Sequence, residues 1–210
     1  MRQEPSLFPI FVKLAGRRCL VVGAGKISEG KVAGLIQAGA KVEIVAPQAT
    51  AQIEKWHRQG KLRWHRRKFR AADLTGAILV VAATDSPKAH RAIFRAATRR
   101  KVLCNIVDVP SLCDFYYPAV VRRGHLQIAI STGGASPSLA KRLREEMESA
   151  FGPEYESWLP LLAKQRRNIL AKPLPVSQRT ELLKKQASEA AFGRFLTTRR
   201  HKRRTPGSKS

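Results

Sequence analysis

Two glycines placed directly after an apolar run are the residues of this chain best suited to hold a phosphorylated ligand. Gly23 and Gly25 follow the run from Cys19 to Val22, which has the length and composition of a buried parallel strand. The first glycine permits a tight turn, and the second lets the backbone approach a pyrophosphate. The N–H groups of the helix that follows would then point at the anion. This order of strand, glycine turn and helix predicts a dinucleotide site.

Two departures from the usual fingerprint keep alternatives open. Ser28 stands where G-x-G-x-x-G/A ends in Gly or Ala, and no acidic residue occupies 45–47, where a ribose partner is expected. Glu43 is near, but it lies inside the predicted strand. The stretch also fits the G-x-x-x-x-G-K loop of mononucleotide-binding proteins, except that Val32 replaces the Ser or Thr that binds magnesium. A dinucleotide is favoured, and a glycine turn without a ligand is the alternative.

The elements that position this turn alternate between strand and helix. Helices are expected after Gly25 and from Pro87, which Ser86 caps. The alternation predicts an α/β fold with a Rossmann-like, doubly wound parallel sheet. Ligands of such sheets bind at the carboxyl ends of the strands, which here include Thr84 and Asp108. Further strands are predicted at 41–46, 62–69, 77–83 and 102–107, with a short helix at 51–58.

The second half of the chain follows another pattern. Residues 115–118 and 126–131 resemble two strands with no helix between them, which predicts a small antiparallel unit of the kind that pairs protomers. A loop of small residues, 131–138, leads into a helix that Ser136 caps and Pro137 opens. Such a loop either binds an anion or is a plain connector. Helices are also predicted over 158–169 and 177–196, with disorder from Arg199.

The charge of the chain is strongly positive and unevenly distributed. The formal charge is +25, from 40 Lys and Arg against 15 Asp and Glu, and residues 164–210 alone carry +12. A positive field attracts anionic substrates, and it equally suits nucleic acid.

Cysteine and histidine usage narrows the class of protein. Three cysteines without a C-x-x-C pair predict a reducing, cytoplasmic location and no disulfide framework. The histidines lack metal-ligand spacing, so no metal site is predicted. The longest apolar run, 77–83, is too short to cross a membrane, and no membrane partner is expected.

Several short motifs occur in a recognisable order over roughly residues 5–165. They are LFPIF, VVGAGKIS with Lys31 in the helix, VVAATDS, CNIVDVP, a YP step and ISTGGASPSLAKRLREEME. Together they resemble the precorrin-2 dehydrogenase family, the amino-terminal module of siroheme synthase. The resemblance implies a homodimer that oxidises precorrin-2 to sirohydrochlorin with NAD, and some members of the family also insert ferrous iron.

The resemblance assigns roles to individual positions. The catalytic aspartate of the family falls on Asp108. The NAD contacts fall on Gly23, Gly25, Lys26, Ile27, Pro47 and Gln48, with Thr84 beside the same site. The tetrapyrrole cleft would be lined by Ser131, Thr132, Gly133, Gly134 and Ser136. The implied regions are an NAD-binding domain over 1–112, dimerisation strands over 113–135, a helical region over 136–198 and a disordered basic tail over 199–210.

The implied chemistry can be compared with the residues. A new double bond in the macrocycle requires the loss of a hydride to nicotinamide and of a proton to a base. Asp108 follows an apolar strand at the ligand edge and could accept that proton, the alternative being a carboxylate that only caps a loop. The tetrapyrrole is a polycarboxylate, so a basic protein would attract it.

One alternative function belongs to another class. A dinucleotide-sensing regulator would bind nucleic acid through the basic tail. The sequence has no recognisable helix-turn-helix or zinc module, which disfavours this alternative.

Overall fold

The computed structural model describes residues 7–204, with side chains up to residue 199. The chain divides into two units, the first ending at Tyr117 and the second beginning at Pro118. In the first unit the strands and helices are β1 (Arg18–Val22), α1 (Lys26–Gln37), β2 (Lys41–Val45), α2 (Ala51–Arg58), β3 (Arg63–His65), β4 (Leu79–Ala82), α3 (Pro87–Arg99) and β5 (Leu103–Ile106). Two short 3-10 helices lie at Ala71–Leu74 and Pro110–Leu112.

The five strands of the first unit form one parallel sheet in the order β3-β2-β1-β4-β5. The central strands are buried on both faces, as their near-continuous apolar sequences require. Leu20 and Val80 are fully buried in the cluster that includes Ile93 of α3, whereas Val21 and Val81 belong to the cluster that includes Val32 of α1. The predicted doubly wound parallel sheet is therefore confirmed.

The second unit combines a two-stranded antiparallel sheet with helices. The sheet pairs β6 (Ala119–Arg123) with β7 (Leu126–Ile130), and Val121 at its centre is fully buried. The helices that follow are α4 (Pro137–Ala150), α5 (Glu154–Leu170), α6 (Val176–Gln186) and α7 (Glu189–Arg204). The predicted antiparallel unit and helical C-terminal region are thus also confirmed.

The strand predicted at 115–118 is wrong, because the antiparallel sheet begins only at Ala119. The segment before it is fastened to β5 instead. The N–H of Asp114 donates to the carbonyl oxygen of Cys104 at 2.7 Å, and the side-chain amide of Asn105 donates to the carbonyl oxygen of Phe115 at 2.8 Å. These contacts hold the segment as a loop, which an apolar and aromatic composition does not reveal.

The single helix predicted over 177–196 is two helices in the structure. α6 ends at Gln186, and Ser188 caps α7 by accepting a hydrogen bond at its hydroxyl from the N–H of Ala191 at 3.2 Å. Phe192 of α7 packs on Tyr155 and Trp158 of α5, with ring centroids 4.7 and 4.6 Å apart.

α7 continues to Arg204, so the disorder predicted from Arg199 is wrong for residues 199–204. Arg199 also donates to the hydroxyl of Ser157 at 2.6 Å. Residues 205–210 of the predicted tail lie outside the described part of the chain.

Two helices show which residues turn toward the core. Helix α4 buries Ala140, whereas Leu139 is 39% exposed. On α3, Ile93, Ala96 and Ala97 are buried, while Ala92 is exposed.

Candidate active site

Gly23 makes the turn between β1 and α1 possible for two separate reasons. Its φ is +100°, in the region that L side chains rarely adopt. A Cβ at this position would also overlap the carbonyl oxygen of Ala83 and lie 2.8 Å from its carbonyl carbon. The N–H of Gly23 donates to the carbonyl oxygen of Val45 at 3.0 Å, which fixes the turn against the end of β2. Gly23 is therefore required by the packing of the sheet as well as by the turn.

Ser28 accounts for the departure from the usual fingerprint. Its side chain is fully buried, and its hydroxyl donates to the carbonyl oxygen of Gly23 at 2.9 Å. The hydroxyl thus closes the turn from inside, a contact that Gly or Ala could not make. Sequence spacing identifies Ser28 as a small residue but gives no sign of this hydrogen bond.

Gly25 faces open space at the start of α1. It occupies the N-cap position with φ −81° and ψ −176°, and a Cβ added there would meet nothing within 4 Å. Because glycine has no capping side chain, the first N–H groups of the helix are left to an incoming anion. Of the next two residues, Lys26 pairs with Glu29 at 2.7 Å and Ile27 is 60% exposed. The turn has the space and the donors that the pyrophosphate of NAD requires.

Glu43, the acidic residue nearest the expected ribose position, is committed elsewhere. Both of its oxygens accept hydrogen bonds from Arg18 at 2.9 Å, and one also bonds His65 at 3.0 Å. The hydrogen bonds from Arg18 are the main reason that the pKa of Glu43 falls to about 2. The residues that do lie past the end of β2, Pro47 and Gln48, are both exposed.

Thr84 lies past the end of β4 on a loop that is fastened to α3. Nε2 of His90 donates to the carbonyl oxygen of Thr84 at 2.5 Å. Ser86 caps α3 by accepting from the N–H of Ala89 at 3.3 Å, as its position before Pro87 predicts. Thr84 itself is half-buried, so its side chain is held close to the glycine turn, where Cγ2 would lie 3.4 Å from a Cβ on Gly23.

Asp108 stands exposed on the turn that follows β5. Its φ is +62°, a conformation that Asp tolerates better than most residues. The turn is closed by a hydrogen bond from the N–H of Val109 to the carbonyl oxygen of Ile106 at 3.1 Å. Below it, the buried side chain of Asn105 ties the strand end to the segment around Phe115. The carboxylate is therefore presented to solvent at the carboxyl edge of the sheet by a rigid backbone.

Lys31 and Tyr117 complete this edge, and sequence reasoning gave neither of them a role. Nζ of Lys31 lies 3.9 Å from the centroid of the Tyr117 ring. Burial lowers the pKa of Lys31, and the negative charge of Asp108 acts in the opposite direction. Burial likewise raises the pKa of the Tyr117 hydroxyl. The one sequence signal for a half-buried ammonium near Asp108 is that Lys31 lies beside the apolar positions of α1.

The second glycine loop belongs to the second unit and is ordered by its own side chains. Thr132 Oγ1 donates to the carbonyl oxygen of Ser136 and accepts from its N–H, both at 3.1 Å. Ser131 Oγ accepts from the N–H of Gly133 at 3.2 Å. Gly133 and Gly134 have φ of +63° and +90°, and in the described part of the chain no atom lies within 4 Å of an added Cβ at either. Ser136 caps α4 through the N–H of Leu139 at 3.2 Å, as predicted.

The first unit thus brings Gly23, Gly25, Thr84 and Asp108 to one edge of the sheet, with Lys26, Ile27, Pro47 and Gln48 on the same connections. Within the described residues, no three His, Cys, Asp or Glu side chains cluster in a way that would hold a metal ion. Across the helices of residues 7–204, none is long and apolar enough to cross a membrane.

Comparison with protein families gives two matches that follow each other along the chain. A family described as "Putative NAD(P)-binding" matches residues 10–119, and one described as "Sirohaem biosynthesis protein central" matches residues 123–150. The first match contains the glycine turn and Asp108, and the second contains the loop that precedes α4.

Two curated relatives of similar sequence are both named siroheme synthase. The chain is 38% identical over 161 residues to the siroheme synthase of Nitrosococcus oceani, which covers 77% of this chain and 34% of that protein. It is 36% identical over 197 residues to the siroheme synthase of Xylella fastidiosa, covering 93% of this chain and 41% of that protein. The chain therefore spans about a third to two-fifths of the length of these relatives.

A solved structure matches nearly end to end. SirC, a precorrin-2 dehydrogenase, superposes with a TM-score of 0.74 at 31% identity, covering 91% of this chain and 98% of that one.

Proposed function

This chain belongs to the precorrin-2 dehydrogenase family, the amino-terminal module of siroheme synthase, and we propose that it oxidises precorrin-2 to sirohydrochlorin with NAD. The observation that carries the proposal is the open cradle at Gly25 together with Asp108 on the same sheet edge. The match to SirC over 98% of that chain supports it, because a relative of the same extent is a dehydrogenase. NAD use is also supported by the match to the NAD(P)-binding family.

The reaction removes two hydrogens from the macrocycle. Bound NAD would supply the acceptor for one of them, which leaves with its electron pair as hydride. The other leaves as a proton, and the Asp108 carboxylate accepts it. As the new double bond forms, either two C–H bonds or one C–H and one N–H bond break. The products are therefore sirohydrochlorin, NADH and a proton, which Asp108 passes to solvent. The exposure of Asp108 on its turn makes that last transfer direct.

Binding of NAD is assigned to the turn and the strand ends. The N–H groups at the start of α1 would hold the pyrophosphate, and Gly25 leaves the space for it. Lys26, Ile27, Pro47 and Gln48 line the approach, and all four are exposed. Thr84, whose backbone carbonyl is bound by His90, lies beside the same site near Gly23.

The tetrapyrrole is assigned to the loop of the second unit. Ser131, Gly133 and Gly134 are exposed. The N–H of Gly133 is bound to Ser131, so the Ser131 hydroxyl and the Gly134 N–H are the donors offered to carboxylates of the substrate. The hydrogen bonds between Thr132 and Ser136 hold the loop in one shape before substrate arrives. A rigid donor set lowers the entropy cost of binding.

We also propose a homodimer that forms through residues 115–131. A two-stranded sheet is marginally stable alone and leaves both outer edges unpaired. β6 and β7 form such a sheet, with most of their side chains only half-buried or exposed. Light scattering at micromolar concentration should give twice the 23.4 kDa of one chain, and an active monomer would contradict the proposal.

The cysteines Cys19, Cys104 and Cys113 are all free, which favours the reducing cytoplasm.

The deciding experiment follows NADH by its near-ultraviolet absorbance when the chain is mixed with NAD and enzymatically prepared precorrin-2. NADH formation that requires both the chain and precorrin-2 is expected. No NADH above the rate without protein, from a sample that binds NAD, would reject the dehydrogenase assignment. The relatives reported above are named as siroheme synthases and a precorrin-2 dehydrogenase, which supports the enzyme and gives no support to the regulator.

A further inference from the structure

The carboxyl end of β2 lacks the acidic residue by which Rossmann proteins select NAD. Such a residue binds the 2′-hydroxyl of the ribose, and its charge repels a 2′-phosphate. Here the strand ends in Val45 and Ala46, which are buried, followed by the uncharged Pro47. Glu43 is held by Arg18 and His65. The end of β2 therefore presents no free carboxylate that would repel the 2′-phosphate of a phosphorylated ribose.

Trp64 anchors the neighbouring strand to the same place. Its indole N–H donates to the carbonyl oxygen of Ala46 at 2.9 Å, and the side chain is 9% exposed. His57 of α2 meets the ring edge-on, with ring centroids 6.2 Å apart. The indole is thus a fixed platform directly beside the residues that follow β2.

Arg66 lies on this platform. Its guanidinium carbon is 4.3 Å from the centroid of the Trp64 ring, and the residue is exposed. Its two neighbours are each bound to a carboxylate, His65 to Glu43 and Arg67 to Asp73. Among the residues with described side chains, Arg66 has no such partner. The stacking fixes the position of the guanidinium while leaving its N–H donors for a ligand.

We propose that Arg66 binds the 2′-phosphate of NADP, so that this chain uses NADP as well as NAD. The inference rests on the dinucleotide site of the proposed function. A planar guanidinium with five donors matches the geometry of a phosphate, and stacking on an aromatic ring reduces the side-chain entropy lost on binding. NAD lacks the 2′-phosphate and gains nothing from Arg66.

Calorimetric titration of the full chain with NAD and with NADP, without tetrapyrrole, tests this. The wild-type chain should bind NADP at least as tightly as NAD. Arg66→Ala should weaken NADP binding about tenfold, the size of a charge-assisted hydrogen bond, and change NAD binding less than about twofold. Arg63→Ala is the matched control, because it removes the same charge from an exposed residue of β3, and it should leave both affinities unchanged.

Ionic strength gives a second readout. Salt screens charges at exposed sites, so the ratio of NADP to NAD affinity should fall more steeply with rising salt in the wild-type chain than in Arg66→Ala. NAD binding without NADP binding in the wild-type chain, or equal losses of both in Arg66→Ala, would overturn the role of Arg66 and leave the dehydrogenase assignment standing. Failure of both dinucleotides to bind would overturn the dinucleotide site itself.

Discussion

Replacement of Asp108 by Asn is the most direct test of the proposed chemistry. The carboxylate is exposed on a closed turn, and none of the hydrogen bonds among the described side chains uses it. Asn also tolerates the positive φ of +62°. The substitution should therefore change the free energy of unfolding by less than about 0.5 kcal/mol. The amide cannot accept a proton, and loss of a general base costs about 10²- to 10⁴-fold in rate, or roughly 3 kcal/mol of activation free energy at the lower end.

The assay compares single-turnover NADH formation in wild-type, Asp108→Asn and Asp85→Asn chains. Asp85 is an exposed aspartate at the end of another strand of the sheet, so the control makes the same chemical change without removing the proposed base. NAD affinity should be equal in all three. A near-wild-type rate in Asp108→Asn would refute the role of Asp108 as base. A loss of NAD affinity in the same variant would show that the residue acts through the structure of the strand end.

Four further substitutions test ligand binding, stability and turnover separately. Gly25→Val should abolish NAD binding, measured by calorimetry, because the valine side chain fills the space for the pyrophosphate; since that space is open in the protein, the cost in stability should be only about 1 kcal/mol. Gly23→Ala should instead lower the melting temperature, since its Cβ overlaps the carbonyl of Ala83. Glu43→Gln should destabilise the fold by about 1–2 kcal/mol at pH 7 in urea titrations, after allowance for screening by solvent. The pKa of Glu43 is depressed to about 2, so its contribution exists above the unfolded pKa and is lost as pH falls from about 4.5 toward 2; equal destabilisation at both ends of that range would contradict the pairing with Arg18. Lys31→Met should slow turnover about tenfold with NAD affinity unchanged, and an unchanged rate would remove Lys31 from the site.

Much of the fold could be predicted because local signals agree with tertiary packing. The runs ending at Val22 and Ala83 are long enough only for buried strands, and Ser86-Pro87 and Ser136-Pro137 mark helix starts that the structure confirms. The predictions failed where a tertiary contact decides between two local choices. Residues 115–118 have strand-like composition, but Asn105 and Cys104 hold them as a loop. The break at Ser188 likewise depends on a cap that an uninterrupted helical pattern hides.

The candidate site was predictable where chemistry and backbone conformation coincide. Glycine turns and strand ends are visible in a sequence, so Gly23, Gly25, Thr84 and Asp108 could be proposed as site residues before their positions were known. Lys31 and Tyr117 were not assigned, because their proximity depends on how α1 lies against the segment after β5. No periodicity or motif records a contact between residues that are 86 positions apart in the chain.

The structure divides the fingerprint of this turn into a part required by the fold and a part required by the ligand. Gly23 and Ser28 face inward, where one is hemmed in by β4 and the other closes the turn by a hydrogen bond. A protein with this sheet needs both even without a cofactor. Gly25 faces open space, and no contact among the described residues requires the absence of a side chain there. Of the three positions, only Gly25 therefore argues for a bound dinucleotide. The same reasoning applies at β2: Glu43 is bound by Arg18 and His65 and so serves the fold, and we propose Arg66 as the residue that contacts the phosphorylated ribose.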